Sequence, residues 1–184
     1  MSWPYKITVR ESVQDVVVVE DSVKSKLDLV PILPQNDMEE ISRTILKEHG
    51  FEGEEKMSRK NGGVIVTVDP STCEVEAKVE ENVNIDLTEE DEGGGCPCRE
   101  RNEEAIRESL RKNLKKKSEK ICKNVQELVT GRLSRSLADI GCEMEQMANQ
   151  ITARAIKRKA QELGQIKKIH HNDNTGEVVI VVEV

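Results

Sequence analysis

Aromatic residues are nearly missing from this chain, with one Trp, one Tyr and one Phe among 184 residues. A core must therefore be assembled from Val, Ile and Leu, and the stacking platform that single-stranded nucleic acid requires is absent from the basic part of the chain. Histidine is almost as scarce, at three. No G-x-S-x-G, Gly-rich phosphate loop or H-E-x-x-H is present, so the common hydrolase, nucleotide-binding and zinc-protease signatures are excluded. Asp and Glu are so abundant, 35 in all, that no carboxylate pair stands out as an acid and base. The expectation is that the protein is not an enzyme and uses no cofactor. No apolar run approaches the roughly 20 residues that span a bilayer. The opening MSWPYKITVRE has no charged region followed by an apolar one, so a cytoplasmic location is expected. Five cysteines at irregular spacing point to free thiols over a disulfide framework.

Proline is absent from Glu100 to Glu162, and glycine occurs there only at 131 and 141. This is the longest helix-compatible stretch in the chain. The net charge of −7 conceals a division: residues 1–98 carry 10 Lys and Arg against 22 Asp and Glu, residues 99–168 carry 18 against 10, and residues 169–184 carry none against 3. A basic helical segment beside an acidic remainder attracts an acidic partner, the acidic part of its own chain or a neighbouring copy, or nucleic acid. The first two rank above the third, because the acidic remainder repels phosphate.

The first 92 residues read as an α/β sheet region. Tyr5–Arg10 alternates like a strand, Val16–Val19 reads as a continuous buried strand, and Lys26–Leu33 reads as a third, at an edge because of Pro31. A helix is expected over 37–49, with Asn36 as cap, Glu39 closing a capping box, and Met38, Ile41, Ile45 and Leu46 as its apolar stripe. Gly50 supplies the left-handed stop and Phe51 packs back on the last turn. From Gly62 the period becomes two: Val64, Val66 and Val68 precede the turn Asp69-Pro70-Ser71-Thr72, and Cys73, Val75, Ala77 and Val79 then share one face. That parity resumes at Val83, Ile85 and Leu87. The acidic run at 89–92 and the segment 93–98, which holds three glycines, Cys96 and Cys98, mark a flexible boundary.

Residues 99–164 form the helical arm. Ile106, Leu110, Leu114, Ile121, Val125 and Leu128 follow helical spacing, with Lys117 interrupting the seam. Leu133, Leu137, Ile140, Met144, Met147 and Ile151 recur at steps of 4, 3, 4, 3 and 4, which is heptad spacing and marks them as a partner interface. A single helix of about 95 Å competes with a helical hairpin turning at Gly131 or Gly141. The hairpin is preferred, because it returns residues 165–184 as C-terminal β strands to the sheet. Val178–Val182, continuous and not alternating, suits a strand covered on both faces.

Cys96-Pro97-Cys98, beside a helix N-terminus and Arg99 and Arg101, is the one candidate for metal or thiol chemistry. Two ligands do not make a site, and Cys73, Cys122 and Cys142 match no zinc pattern, so core or surface thiols are the stronger reading. His170-His171 reads as a solvated pair flanking a loop, and His49 as a partner of a helix C-terminus. A basic patch of Lys112, Lys115, Lys116, Lys117, Lys120 and Lys123 would contact phosphates without sequence preference; a solvated helix face with Glu–Lys pairs explains it more simply.

The phrases SWPYKITV, VTVDPSTCEVEAKVE and NDNTGEVVIVVEV resemble accessory domains of bacterial gene clusters built around AAA+ ATPases of the FtsH type. That resemblance implies a non-catalytic companion acting with an ATPase, and it carries no functional residue. The expectation is an α+β protein, a small mostly antiparallel sheet with one short helix plus a long helical hairpin or coiled coil. It would bind protein partners, itself or an AAA+ ATPase, as an adaptor or assembly component, with thiol or metal binding at Cys96 and Cys98 and nucleic-acid binding by the arm as the alternatives.

Overall fold

A computed structural model describes residues 6–94, 99–172 and 177–183. The elements in chain order are β1 (Lys6–Lys26), α1 (Gln35–Glu48), β2 (Met57–Asn61), β3 (Val64–Val68), β4 (Glu74–Gly94), α2 (Arg99–Leu163), β5 (Gln165–Asn172) and β6 (Glu177–Glu183). Strands β1-β4-β3-β2, in that order, form an antiparallel sheet, and β5 and β6 pair with each other. The α+β class is as expected. The chain divides into two compact units, one of Met1–Asp21 with Glu80–Arg132 and one of Ser22–Val79 with Leu133–Val184.

The first unit is a ribbon of β1 and β4 with the first half of α2 on one face. Odd-numbered residues of both strands turn toward the helix: Val9, Val19 and Ile85 are buried, whereas Val16 and Val18 are 64% and 52% exposed. The valine run is therefore half inside, because a strand alternates its side chains whatever their chemistry. On α2, Leu110, Leu114, Ser118, Ile121, Val125 and Val129 form the covered or half-covered stripe, at steps of 4, 4, 3, 4 and 4. This is an 11-residue pattern, nearer a straight helix than a heptad is. It passes through Ser118, so Lys117 interrupts nothing, and it takes Val129 inward while Leu128 stays 66% exposed. Gly93 lies against Ile106, whose Cδ1 would be 2.5 Å from any Cβ there.

Carboxylates of this ribbon meet the bases of the helix. Glu11 pairs with Arg111 at 3.5 Å, Glu89 with Lys117, and Glu81 with Arg132. Thr130 Oγ1 donates to Asp21 at 2.7 Å. The acidic run at 89–92 thus belongs to a regular strand and not to a flexible boundary. The charge of Glu89 is answered within the chain by Lys117.

The second unit places α1 and the second half of α2 with β2, β3 and the ends of β1 and β4. Pro34 precedes α1, its carbonyl accepting from the N–H of Asp37 and Met38, so the helix begins one residue before Asn36 and the capping box is not formed. Glu39 instead binds Arg43 at 2.7 Å one turn along. The stop is as read: Gly50 has φ +79, and the Phe51 N–H returns to the Leu46 carbonyl. Ile45, Leu46, Phe51, Met57, Val64, Val66, Val68, Val79, Met147 and Ile151 are at most 2% exposed. Strand β2, MSRKN, has no periodic signal; it exists because Gly62 and Gly63, at φ +58 and +85, make a two-residue turn that sets Asn61 opposite Val64.

Three further expectations are corrected. Residues 27–34 form no strand, though Leu27 and Leu33 are buried. Helix α2 is continuous through Gly131 and Gly141, so there is no helical hairpin. A glycine inside a helix costs about 1 kcal/mol, which the buried side chains on either side readily outweigh. Finally, β5 and β6 pair with each other and join no other strand among the described residues.

Candidate docking surface

Of the six residues of the heptad-like series, Leu133, Met144, Met147 and Ile151 are buried in the chain's own core. Leu137 and Ile140 are only half-buried, because they sit on the flank of α2 and not on its covered stripe. Both line a groove of about 670 Å³ whose opposite wall is the end of β1 (Val23, Ser25, Lys26, Leu27) and whose lining includes Val75, Ala77 and Met144. The small side chain of Ala77, 3% exposed, leaves the hollow where a larger residue would fill it. Val23 has the helix-facing parity of Val19 and Leu27, yet it is 40% exposed while they are 6% and 7%. Nothing among the described residues covers it.

The wall formed by β1 is also the edge of the sheet. The Leu27 N–H donates to the Cys73 carbonyl at 2.8 Å, so odd-numbered residues here direct their backbone groups to β4. Antiparallel pairing alternates, so Ser22, Lys24 and Lys26 direct theirs outward. Further along β1 two such outward groups are met by side chains: the Val16 N–H by Asp15 at 2.8 Å and the Glu20 carbonyl by Gln126 at 3.3 Å.

At the other edge of the sheet, Arg59 of β2 ties α1 to α2. Its guanidinium binds Glu143 with both terminal nitrogens, at 2.7 and 2.5 Å, and donates to the His49 carbonyl at 2.8 Å. It also lies 4.8 Å over the Phe51 ring. The hydrogen bonds that Arg59 donates to Glu143 raise its pKa, against the opposing effect of burial. His49, read as a helix-end partner, contacts Gln150 at 3.2 Å and stands 3.9 Å from Glu143. Arg154 pairs with Glu48, and Arg158 with both Asp37 and Glu40.

The basic patch is divided. Lys117 is taken by Glu89 and Lys112 by Glu108, at 2.8 Å one turn away. Lys115, Lys116, Lys120 and Lys123 are exposed and make no ion pair among the described residues. Lys112, Lys116, Lys120 and Lys123 each fall two residues, or about 200°, beyond a member of the covered stripe. They run along the back of the helix.

Cys96 and Cys98 lie outside the described residues. Cys73 is half-buried at φ +61, the left-handed close of the turn from Asp69, and burial pushes its thiol pKa up, away from reactivity. Cys122 is half-buried and Cys142 exposed. Among the described residues no three His, Cys, Asp or Glu are grouped to hold a metal ion, and no helix is long and apolar enough to cross a membrane.

The family model for FtsH ternary system domain X5 matches residues 1–184. The chain belongs to that family. No curated protein and no solved structure matches it. Membership as an FtsH ternary system X5 domain agrees with the resemblance carried by the strand phrases, and it gives the groove a setting: a component of an FtsH-associated system of several parts.

Proposed function

We propose that this X5 domain is a non-catalytic docking component of an FtsH-associated ternary system, holding protein to protein and transforming no substrate. One observation carries the reading: a groove with apolar walls opens along a strand edge that still has backbone donors and acceptors to offer. Apolar pockets serve side chains and an open edge serves an extended backbone, and a protein segment is the ligand that has both. The family supports an accessory role beside an ATPase.

The test is binding of the purified chain to the FtsH-type ATPase of its own system, wild type against Leu137→Glu. Leu137 is half-buried, so the change places a charge in the groove without emptying the core. At least a tenfold loss of affinity is expected with an unaltered far-UV spectrum. Unchanged affinity would refute the groove as the docking site.

A second reading, polyanion binding, has one specific observation behind it: Lys115, Lys116, Lys120 and Lys123 are exposed on α2 and make no ion pair among the described residues. Charge reversal at Lys115, Lys116 and Lys120 would then abolish salt-sensitive retention of RNA or DNA. The sheet's carboxylates and the scarcity of stacking aromatics place it second.

A further inference from the structure

We propose that the groove receives strand β6 of a second copy of this chain, which pairs with the open edge of β1 at Ser22–Lys26. The proposal names a partner for the docking groove and rests on the docking reading of it.

The two features are complementary and neither is satisfied in the single copy. Strand β6 reads EVVIVVE, an unbroken apolar run. Such a run belongs in the middle of a sheet, covered on both faces. Among the described residues it is instead at an edge, paired with β5 alone, and Val179 and Val181 are 46% and 45% exposed. An isolated two-stranded hairpin is marginal in water, so this one gains most from a further strand. On the other side, the β1 edge offers the outward backbone groups of Ser22, Lys24 and Lys26, and Val23 lies uncovered above Ala77 and Leu137. Val179 and Val181 share one face of β6 and are of a size for that hollow.

Charge and composition fit the same arrangement. The edge carries Lys26, and Lys24 in a 3.7 Å pair with Glu76, whereas the sequence of β6 has an acid at each end. Docking would give the strand order β5-β6-β1-β4-β3-β2, with β6 central and β5 as the new edge. Lys167 and Lys168 of β5 are exposed, and lysine is the residue that protects an edge from further pairing. Reciprocal exchange about a two-fold axis closes the assembly as a pair, each copy giving one strand and filling one groove.

The strand comes from another copy because its own, turned back along α2, falls short of all but the near end of the groove. Only Gly164 separates α2 from β5. The His170–Val179 pair lies six residues beyond that glycine, about 20 Å along an extended strand. The groove's helical wall, Leu137 to Asn149, lies 14 to 26 residues back from Leu163, about 21 to 39 Å along the helix. Val179 reaches only the near end of its own groove.

Native mass spectrometry and light scattering on the full chain test this, with Leu137→Glu (groove blocked, strand intact) and Val179→Glu/Val181→Glu (strand blocked, groove intact). The wild type is expected at twice the 20.7 kDa chain mass, each variant alone as a monomer, and an equimolar mixture of the two as a heterodimer through its one remaining groove and strand. A photo-crosslinker at the exposed Ser25 in mixed ¹⁴N and ¹⁵N chains is expected to mark residues 177–183 of the other copy, which keeps the test valid should a variant misfold. A monomeric wild type, a dimer indifferent to both variants, or a crosslink confined to one copy would each overturn the proposal. If the wild type is monomeric while Leu137→Glu still abolishes ATPase binding, the second copy is refuted and the docking reading survives.

Discussion

Removing the Arg59–Glu143 pair tests whether the second unit is fastened as its geometry implies. The guanidinium makes two charge-assisted hydrogen bonds to Glu143 and one to the His49 carbonyl, with side chains 21% and 28% exposed, so solvent replaces these contacts only in part. Charge-assisted bonds are worth about 1.5–3 kcal/mol each and a largely buried cation–π contact about 1–2. These do not add, because the carboxylate released from Arg59 recovers some hydration. Arg59→Met, which keeps the stem over Phe51, is expected to cost about 3 kcal/mol, or a fall in Tm of about 6–12 °C at this chain length. In a double-mutant cycle with Glu143→Gln, read by urea unfolding, the coupling is expected at about 2 kcal/mol. Coupling below about 0.5 kcal/mol would show the pair to be an ordinary surface contact and refute the argument.

Three further outcomes are expected. Gly53→Ala would bring a Cβ to 2.1 Å from the Lys56 carbonyl oxygen at φ +133 and should lower stability by several kcal/mol, while Gly131→Ala, with open space around it, should raise it by about 1 kcal/mol; thermal melts of the two separate strain from propensity. Leu128→Gln should leave the melt within about 0.5 kcal/mol and Val129→Ala should cost about 1–2 kcal/mol, and the reverse ranking would refute the register of α2. Asp69 accepts from the Ser71 hydroxyl at 2.6 Å, and that bond holds its carboxyl below the usual range. Its stabilising contribution is therefore present above the ordinary carboxylate pKa and lost as pH falls through the lowered one, so the stability gap between wild type and Asp69→Asn should shrink between pH 6 and pH 2.

The parts of the fold legible in the sequence are those where one local rule acts without competition. Alternation in 64–68 and 73–79 set both the strands and their inward face, and Gly50 with Phe51 set the end of α1. Where two rules competed, local reading chose wrongly. Gly131 is a stop signal by itself, but the covered residues on both sides keep the helix going. Four consecutive valines look buried, but the strand's period of two leaves Val16 and Val18 outside. Of the candidate surface, Leu137 and Ile140 were visible as apolar residues on a helix, but not their separation from Met144 and Met147, since burial depends on which strand lies opposite. The charge division was legible but left an outside acidic partner and the chain's own acids as alternatives; within the chain, Glu11, Glu81 and Glu89 are answered by Arg111, Arg132 and Lys117.

The unbroken phase of β4 and α2 restricts how chains of this family can vary in length. One residue inserted into the 21-residue strand would exchange its valines for its carboxylates from that point on. One inserted into the 65-residue helix would turn everything beyond it by about 100°. Only insertions near 4, 7 or 11 residues restore a helix face, and only even ones restore a strand. Length differences between relatives should therefore gather in 27–34 and 53–56, and any in β4 or α2 should come only in these face-restoring steps.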